Sequence, residues 1–422
     1  MGLKVNLCYL CTMKFEEYHI IPELKQSLQE LGFRRPTDIQ FKAIPNILNG
    51  EDVLAIAQTG TGKTAAFAIP IIHLISNAGT RQGVQAIVMV PTHELAIQIT
   101  EVFEKLGKYT DVKTLGIYGG VEQDPQIKQL NEGVDIIVAT PGRVFDLVNQ
   151  GYLVLRDIKV LVLDEADLML DLGFYKDIED LIKYLPRQRQ TLFFSATINE
   201  KIKKLAYSIV RNAIRIQISP KDPVSKNVTH SVMFVSMDDK RFFLERIVNE
   251  NPESRILVFV RTKVRAERVF DAMNRVGIKT QTMHGGKDQE SRMDVMTEFK
   301  NGTFKVLVAT DISARGVDIA NVDYVINYDL PDVAENYVHR VGRTGRGTQK
   351  GVAVSLCSPE EKPLLEEIEQ FMDKKVNVLH VDRVDYSETL ALTEDVNGNW
   401  KQLLREAELE DKKYKGKSKK KK

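Results

Sequence analysis

Short runs of apolar, largely β-branched residues recur along the chain, separated by helix-length stretches whose apolar positions return every three or four residues. In the first half the runs are 52–57, 85–90, 135–139, 159–163 and 191–194. In the second they are 255–260, 279–283, 305–309, 323–327 and 351–356. A strand with one wet face alternates apolar and polar residues, whereas these runs are nearly continuous, which means cover on both faces. Strands alternating with helices in this way predict parallel sheets with helices on either side. Between the halves, Pro220 and Pro223 stand among charged residues. Proline removes a backbone donor and fixes φ, so the segment reads as a hinge.

The expected fold is therefore α/β, with two tandem doubly wound parallel-sheet domains and a cleft between them. Domain 1 is expected over 15–217, a linker over 218–228 and domain 2 over 229–380. Residues 1–14 read as a disordered leader, and 381–422 as a C-terminal extension holding a helix at 400–413 and a lysine-rich tail.

The strand ends show where chemistry belongs. Most runs stop in small, polar or charged residues, such as Pro91-Thr92, Thr140-Pro141-Gly142-Arg143, Asp164-Glu165, Ser195-Ala196-Thr197, His284-Gly285-Gly286 and Thr310-Asp311. Ligands of open α/β sheets bind outside the carboxyl ends of the strands. A purely structural chain has no reason to load that edge twice.

Ala57-Gln58-Thr59-Gly60-Thr61-Gly62-Lys63-Thr64 follows a strand and opens a helix. Backbone N–H groups of such a loop cradle phosphate oxygens, Lys63 reaches the β- and γ-phosphates, and the Thr64 hydroxyl takes Mg²⁺. Ala57 replaces the first glycine of the general pattern. The strand ending in Leu163 runs into Asp164 and Glu165. Asp164 suits Mg²⁺ held through water, and Glu165 suits the base that orients the attacking water. An acidic helix cap is the bland alternative for Asp-Glu alone. Late in the second half, Arg340, Arg343 and Arg346 alternate with glycines. That spacing suits guanidinium groups held close to a γ-phosphate, and this half has no phosphate loop of its own. Domain 2 is thus expected to supply an arginine finger from this set to a nucleotide held by domain 1.

Composition narrows the picture. A hydrophobic share of 43% and a charged share of 28% fit a globular protein, and a net charge of +1 neither favours nor excludes a polyanionic partner. Eight of the last eleven residues are lysine, which reads as a solvated tail with a salt-sensitive grip on phosphate. Cys8 and Cys11 have C-x-x-C spacing, but no second pair follows and Cys357 stands alone, so neither zinc nor a redox site is expected. No apolar run reaches the ~20 residues of a membrane span. The reading is a cytoplasmic monomer without a membrane partner.

Taken together and in order, the motifs from Phe15 to Asp373 closely resemble the DEAD-box family of RNA helicases, whose namesake is Asp164-Glu165-Ala166-Asp167. The short-tailed layout is similar to the bacterial RhlE-type members. The resemblance implies RecA-like domains, ATP with Mg²⁺, and RNA bound with little sequence specificity. It implies that Gln40 reads the adenine edge, with Phe33 stacking and Phe15 beside it. It adds Gly316 and Asp318 at the ribose and Arg343 and Arg346 at the γ-phosphate, and it makes Asp167, Ser195, Thr197 and His339 the coupling residues between domains. The implied RNA contacts are Pro91, Thr92, His93, Gly119, Gly120, Thr140, Pro141, Gly142, Arg143, Arg261 and Thr310, with Gln289 and Arg292 implied for both RNA and interdomain contact. Small polar groups and amides of this kind read the sugar–phosphate chain and its 2′-OH. One departure is plain: the family carries arginine where this chain has His93. A neutral imidazole in place of a permanent cation implies weaker RNA binding at neutral pH, recovering as His93 protonates.

The reading this supports is an ATP-dependent RNA helicase, an RNA-stimulated ATPase that separates short duplexes by domain closure and strand bending. An ATP-gated RNA clamp and a DNA translocase are the competing readings.

Overall fold

The computed structural model describes residues 13–58, 60–79, 81–218, 224, 227–311, 319, 322–345 and 349–391. The first sheet holds β1 (Val53–Ala57), β2 (Ala86–Met89), β3 (Thr114–Ile117), β4 (Ile136–Ala139), β5 (Val160–Leu163), β6 (Gln190–Ser195) and β7 (Ile214–Ile218). The second holds β8 (Val228–Phe234), β9 (Ile256–Val260), β10 (Thr280–Met283), β11 (Val306–Thr310), β12 (Tyr324–Asn327), β13 (Gly351–Cys357) and β14 (Asn377–Leu379). Every pairing in both sheets is parallel.

The first sheet runs β3-β4-β2-β5-β6-β1-β7 and the second β10-β11-β9-β12-β13-β8-β14. Subtracting seven from each strand number of the second gives 3-4-2-5-6-1-7, the order of the first. The halves are one topology used twice. Alternate residues of each buried strand feed opposite faces, as the two-residue period requires. In β1, Val53, Ala55 and Ala57 join one apolar cluster, while Leu54 and Ile56 join the other. The second sheet is covered on both sides in the same way, with Leu257 and Phe259 on one face and Ile256, Val258 and Val260 on the other. These near-continuous runs are what the sequence pattern selects.

Four strands escaped that pattern. β3, β7 and β14 are sheet edges, the first two partly buried and β14 exposed along its length. β8 is interior but carries His230 and Ser231, with His230 sharing a 3.1 Å hydrogen bond with the Tyr337 hydroxyl. β7 and β8 each reach into the stretch expected to be linker. Met13, placed in the expected leader, packs against the first core. The extension also begins with structure, because the helix Arg383–Ala391 lies on the helix Lys240–Glu250. Tyr386 stacks at 5.0 Å from Phe243 and donates to Asp239 at 2.7 Å, and Arg246 donates to Thr389 at 2.8 Å. The helix expected at 400–413, the lysine tail, and Cys8 and Cys11 lie outside the described residues.

Candidate nucleotide and nucleic-acid sites

The phosphate loop joins β1 to the helix Lys63–Ser76. Its glycines bend it: Gly60 has φ +81° and Gly62 φ +92°, a region L side chains avoid. No side chain caps the helix at Gly62, which leaves its first N–H groups to a ligand. Thr61 stiffens the turn by donating to Gln58 O at 2.7 Å. Gln40 holds the loop from behind. Its Nε2 donates to Gly62 O at 3.1 Å while its Oε1 accepts from Thr37 N at 2.9 Å. A Cβ on Gly62 would stand 2.5 Å from that Nε2, so glycine is needed there twice over. Gln40, expected at the adenine edge, is buried and clasped to the phosphate loop.

Phe33 is half-buried and lines, with Arg34 and Arg35, a cavity of about 780 Å³. Phe15 is only 2% exposed and meets Phe33 edge-on at 5.8 Å. It supports the stacking residue and has almost no surface of its own for a base. Thr59 lies outside the described residues.

Lys63 is buried and its Nζ lies 3.0 Å from Glu165 Oε1. Glu165 has φ +52°, unusual for a residue with a side chain and a sign of backbone strain held by its surroundings. Burial pushes the Asp164 carboxyl up to about 7, with Lys63 opposing. Burial alone would raise Glu165 too, but Lys63, His339 and Arg343 outweigh it and hold that carboxyl below the usual range. Burial would lower the Lys63 ammonium; Glu165, Asp164 and Asp167 reverse this and raise it. Asp167 accepts from Ala196 N at 3.2 Å and from Thr197 N and Oγ1 at 3.0 and 3.2 Å, tying the end of β6 to the acids. The Ser195 hydroxyl serves the same turn, donating to Thr197 O at 2.8 Å.

His339 and Arg343 come from the helix Ala334–Val341 and the turn after it, which runs back to the amino ends of β12, β8 and β13, where the Thr344 hydroxyl donates to Asp323 O at 3.3 Å. Their charge is felt at Glu165, so the second domain faces the nucleotide loop. Arg340 goes elsewhere. It is 1% exposed, forks onto Asp311 at 2.6 and 2.7 Å, and donates to Asp329 O at 2.6 Å. The alternation of arginines with glycines therefore serves two purposes, and only Arg343 of the described pair looks at the first domain. Arg346, Gly316 and Asp318 lie outside the described residues.

The positions implied for RNA gather at the carboxyl ends of β2, β3 and β4 in one sheet and β9 and β11 in the other. Thr92 caps its helix, accepting from Leu95 N at 3.3 Å. Thr140 and Pro141 are buried, and Thr310 is half-buried at the end of β11. Arg143 donates to Val121 O at 2.9 Å and to Gln126 Oε1 at 3.3 Å, bracing the loop that carries Gly119, Gly120 and, beyond them, Val121. Gly120, at φ +75°, lets that loop lie against His93 and Gln289, whose nearest atoms stand 3.5 and 3.6 Å from where its Cβ would be. The His93 ring is 5.9 Å from Tyr118. Burial pushes its pKa below the ordinary imidazole value, Arg292 and Arg143 push the same way, and Glu94 and a Gln289 hydrogen bond oppose.

Gln289 and Arg292, expected at RNA and at interdomain contact, meet Glu94 across the interdomain seam. Gln289 Nε2 donates to Glu94 Oε1 at 3.2 Å, and Arg292 forms an ion pair with the same carboxylate. Arg261 is likewise engaged, with Asp332 at 3.0 Å and Glu361 at 3.1 Å. Sequence reasoning missed Glu94, because an acid in the first turn of a helix reads as a response to the helix dipole. Its 3% exposure is the signal, and that belongs to the fold.

Two family models match. The DEAD/DEAH box helicase model covers 37–205 and the helicase conserved C-terminal domain model covers 239–348. The DEAD-box ATP-dependent RNA helicase CshA of Bacillus cereus is 39% identical over 88% of this chain and 70% of its own. This chain belongs to the DEAD-box helicase family. The ATP-dependent RNA helicase RhlB of Shewanella oneidensis is 39% identical over 89% of this DEAD-box chain and 87% of its own. Among solved structures, S. cerevisiae Dbp5 bound to RNA and ADP BeF3 has a TM-score of 0.81 at 31% identity, covering 90% of this chain and 98% of its own. The DEAD box protein of Methanococcus jannaschii has a TM-score of only 0.52 at 37% identity, covering 87% and 99%. Two tandem RecA-like domains are thus the fold of this DEAD-box chain.

Proposed function

We propose that this chain is an RNA-stimulated ATPase that separates short RNA duplexes by closing its two domains around both ligands. The observation that carries the reading is the Lys63–Glu165 pair of the first sheet, facing His339 and Arg343 of the second. The overall shape supports it, since the RNA- and ADP BeF3-bound relative superposes better than the more identical Methanococcus protein. The domain setting of this chain resembles that RNA-bound form.

The roles follow from the geometry. The loop N–H groups and Lys63 hold the phosphates, Phe33 lies beneath the base, and Gln40 transmits the state of the base pocket to Gly62. Glu165 is kept ionised by its cationic neighbours, so it can orient water at the γ-phosphate and accept its proton. Arg343 offers a fixed positive charge where negative charge develops. Asp164 and the Thr64 hydroxyl are oxygen donors of the kind Mg²⁺ takes, and the buried Asp164 lacks enough positive charge to stay ionised on its own. Among the described residues there is no cluster of three or more His, Cys, Asp or Glu that could hold a metal. When bound, Mg²⁺ neutralises phosphate charge in the transition state.

RNA is expected along Pro91-Thr92, His93, Gly119-Gly120, Thr140 to Arg143, Arg261 and Thr310. Gln289 and Arg292 act there by holding the seam through Glu94. A strand gripped by both domains must follow their relative setting, and a bent strand leaves its complement. No helix among the described residues is long and apolar enough to cross a membrane. We place the chain in the cytoplasm, acting as a monomer.

ATPase assayed with single-stranded RNA, with DNA and alone tests this directly. RNA should stimulate turnover, DNA should not, and Glu165→Gln should lower it by about 10²-fold or more. Equal stimulation by DNA would identify a translocase. RNA binding locked by ATP with turnover too slow to unwind would identify a clamp.

A further inference from the structure

Because the sheets share one strand order, each site residue of the first domain has a counterpart in the second. Lys63 lies six residues after the end of β1 and opens the following helix; Lys240 lies six after the end of β8 and opens the helix Lys240–Glu250. Glu165 stands two residues beyond β5, and Asp329 two beyond β12, the counterpart of β5. The second domain therefore has the frame of a phosphate site, and it is filled by the chain itself. Lys240 is 0% exposed and gives its protons to Glu361 at 2.5 Å and Tyr328 O at 2.6 Å, with Asp329 at 3.7 Å. Glu361 stands where an anion would.

Glu361 also reaches outward. Its carboxylate accepts from Leu330 N at 3.2 Å, Ser358 N at 3.0 Å and Arg261 Nη2 at 3.1 Å. Arg261 is fixed further by its own N–H to Asp329 at 3.0 Å and by Asp332. The turn so held, from Tyr328 to Asp332, runs directly into the helix Ala334–Val341 that carries His339 and precedes Arg343. Arg340 fastens that helix back to Asp329 O and to Asp311, beside Thr310.

We propose that Glu361, neutralised by Lys240, is a positioning residue that couples Arg261 on the RNA side to the helix that leads into Arg343 on the ATP side. This rests on the reading of Arg261 as an RNA contact. In the first domain the corresponding frame opens to an outside anion; here an internal carboxylate takes the anion's place, one oxygen on Lys240 and the other on Arg261. Glu361→Gln keeps the shape and removes the charge that Lys240 and Arg261 share.

The test measures, in the full chain, the RNA concentration giving half-maximal ATPase stimulation, with RNA-free ATP affinity and thermal stability alongside. For Glu361→Gln that RNA concentration should rise about tenfold, with RNA-free ATP affinity changed by less than about twofold. Combining it with Arg261→Ala should add little to Arg261→Ala alone, because the two lie on one path; a purely structural role would add. Asp332→Ala, at a side chain 65% exposed, should raise the RNA requirement by about twofold without threatening the fold, and it decides the matter if Glu361→Gln does not fold. If Arg261→Ala weakens RNA while the folded Glu361 and Asp332 variants match the parent, the coupling is refuted. If Arg261→Ala itself leaves RNA binding intact, the RNA reading of Arg261 fails and takes the coupling with it.

Discussion

Lys63 and Lys240 each open the helix that follows the first strand of a seven-stranded sheet, and both are buried against carboxylates. Lys63 stands at the end of a glycine-bent loop with an uncapped helix behind it, and its partner Glu165 is shared with charges from the other domain. Lys240 has no such loop and is closed in by Glu361, Asp329 and Tyr328 O. Burial pushes the Lys240 ammonium below its ordinary value despite those acids, whereas the acids around Lys63 prevail and raise it. One topology thus serves once as an open phosphate site and once as a sealed node. Access for an outside anion separates them.

The largest expected effect tests the open half. Arg343→Ala should lower RNA-stimulated kcat by about 10³-fold, the usual worth of an arginine finger, while RNA-free ATP affinity stays near that of the parent. Steady-state kinetics beside a nucleotide-binding titration check it. A loss confined to KM would mean that Arg343 binds ground-state nucleotide only.

Next comes stability, where the two lysines should part. Lys240→Met removes the fully buried cation of Glu361, leaving only Arg261 to offset the carboxylate, and should cost about 3 kcal/mol. That lowers Tm by roughly 6–12 °C for a domain of this size. Lys63→Met should abolish turnover yet move Tm less, because His339 and Arg343 still offset the Glu165 charge. Calorimetry on both variants decides it, and equal shifts would erase the distinction drawn between the sites.

Much of the first half was legible from sequence because strand, loop and acid stand in register with one another. Ala57 to Thr64 and Asp164-Glu165 carry the chemistry in adjacent residues, and the apolar runs place both at one sheet edge. Edge strands β3, β7 and β14 were not legible, since partial burial in the first two and exposure in the third weaken the apolar signal. Nor were the pairs that join distant positions. Glu94 with Arg292, Arg340 with Asp311 and Lys240 with Glu361 lie 198, 29 and 121 residues apart, and their meaning comes from burial and partnership. Phe15 was assigned to the nucleotide on family pattern, while the fold packs its ring against Phe33; of the two roles expected of Gln289 and Arg292, the contact between domains is the one their side chains make.

The smallest expected effect is at His93. Burial depresses its pKa, with Arg292 and Arg143 on the same side of the balance and Glu94 against, so the seam favours neutral imidazole. That contribution is complete above the ordinary value of 6.5 and is lost as pH falls through and below it. RNA phosphate favours the opposite form. RNA affinity should therefore be flat from about pH 8 to 7 and rise only below about 6.5, as a cation appears beside phosphate. His93→Arg should bind RNA more tightly at neutral pH, steepen the salt dependence by about one unit, and remove the pH step. Affinity unchanged by the substitution across that range would exclude His93 from the RNA surface.

The central claim is that nucleotide held by the first sheet and RNA held by both sheets close the same seam. Linkage then requires each ligand to tighten the other by an equal factor. The direct measurement is RNA affinity with and without a non-hydrolysable ATP analogue, repeated in Glu94→Gln, which weakens the seam. RNA should bind about tenfold tighter with the analogue, and the gain should shrink in the variant. RNA affinity indifferent to the analogue in the parent chain would contradict the account.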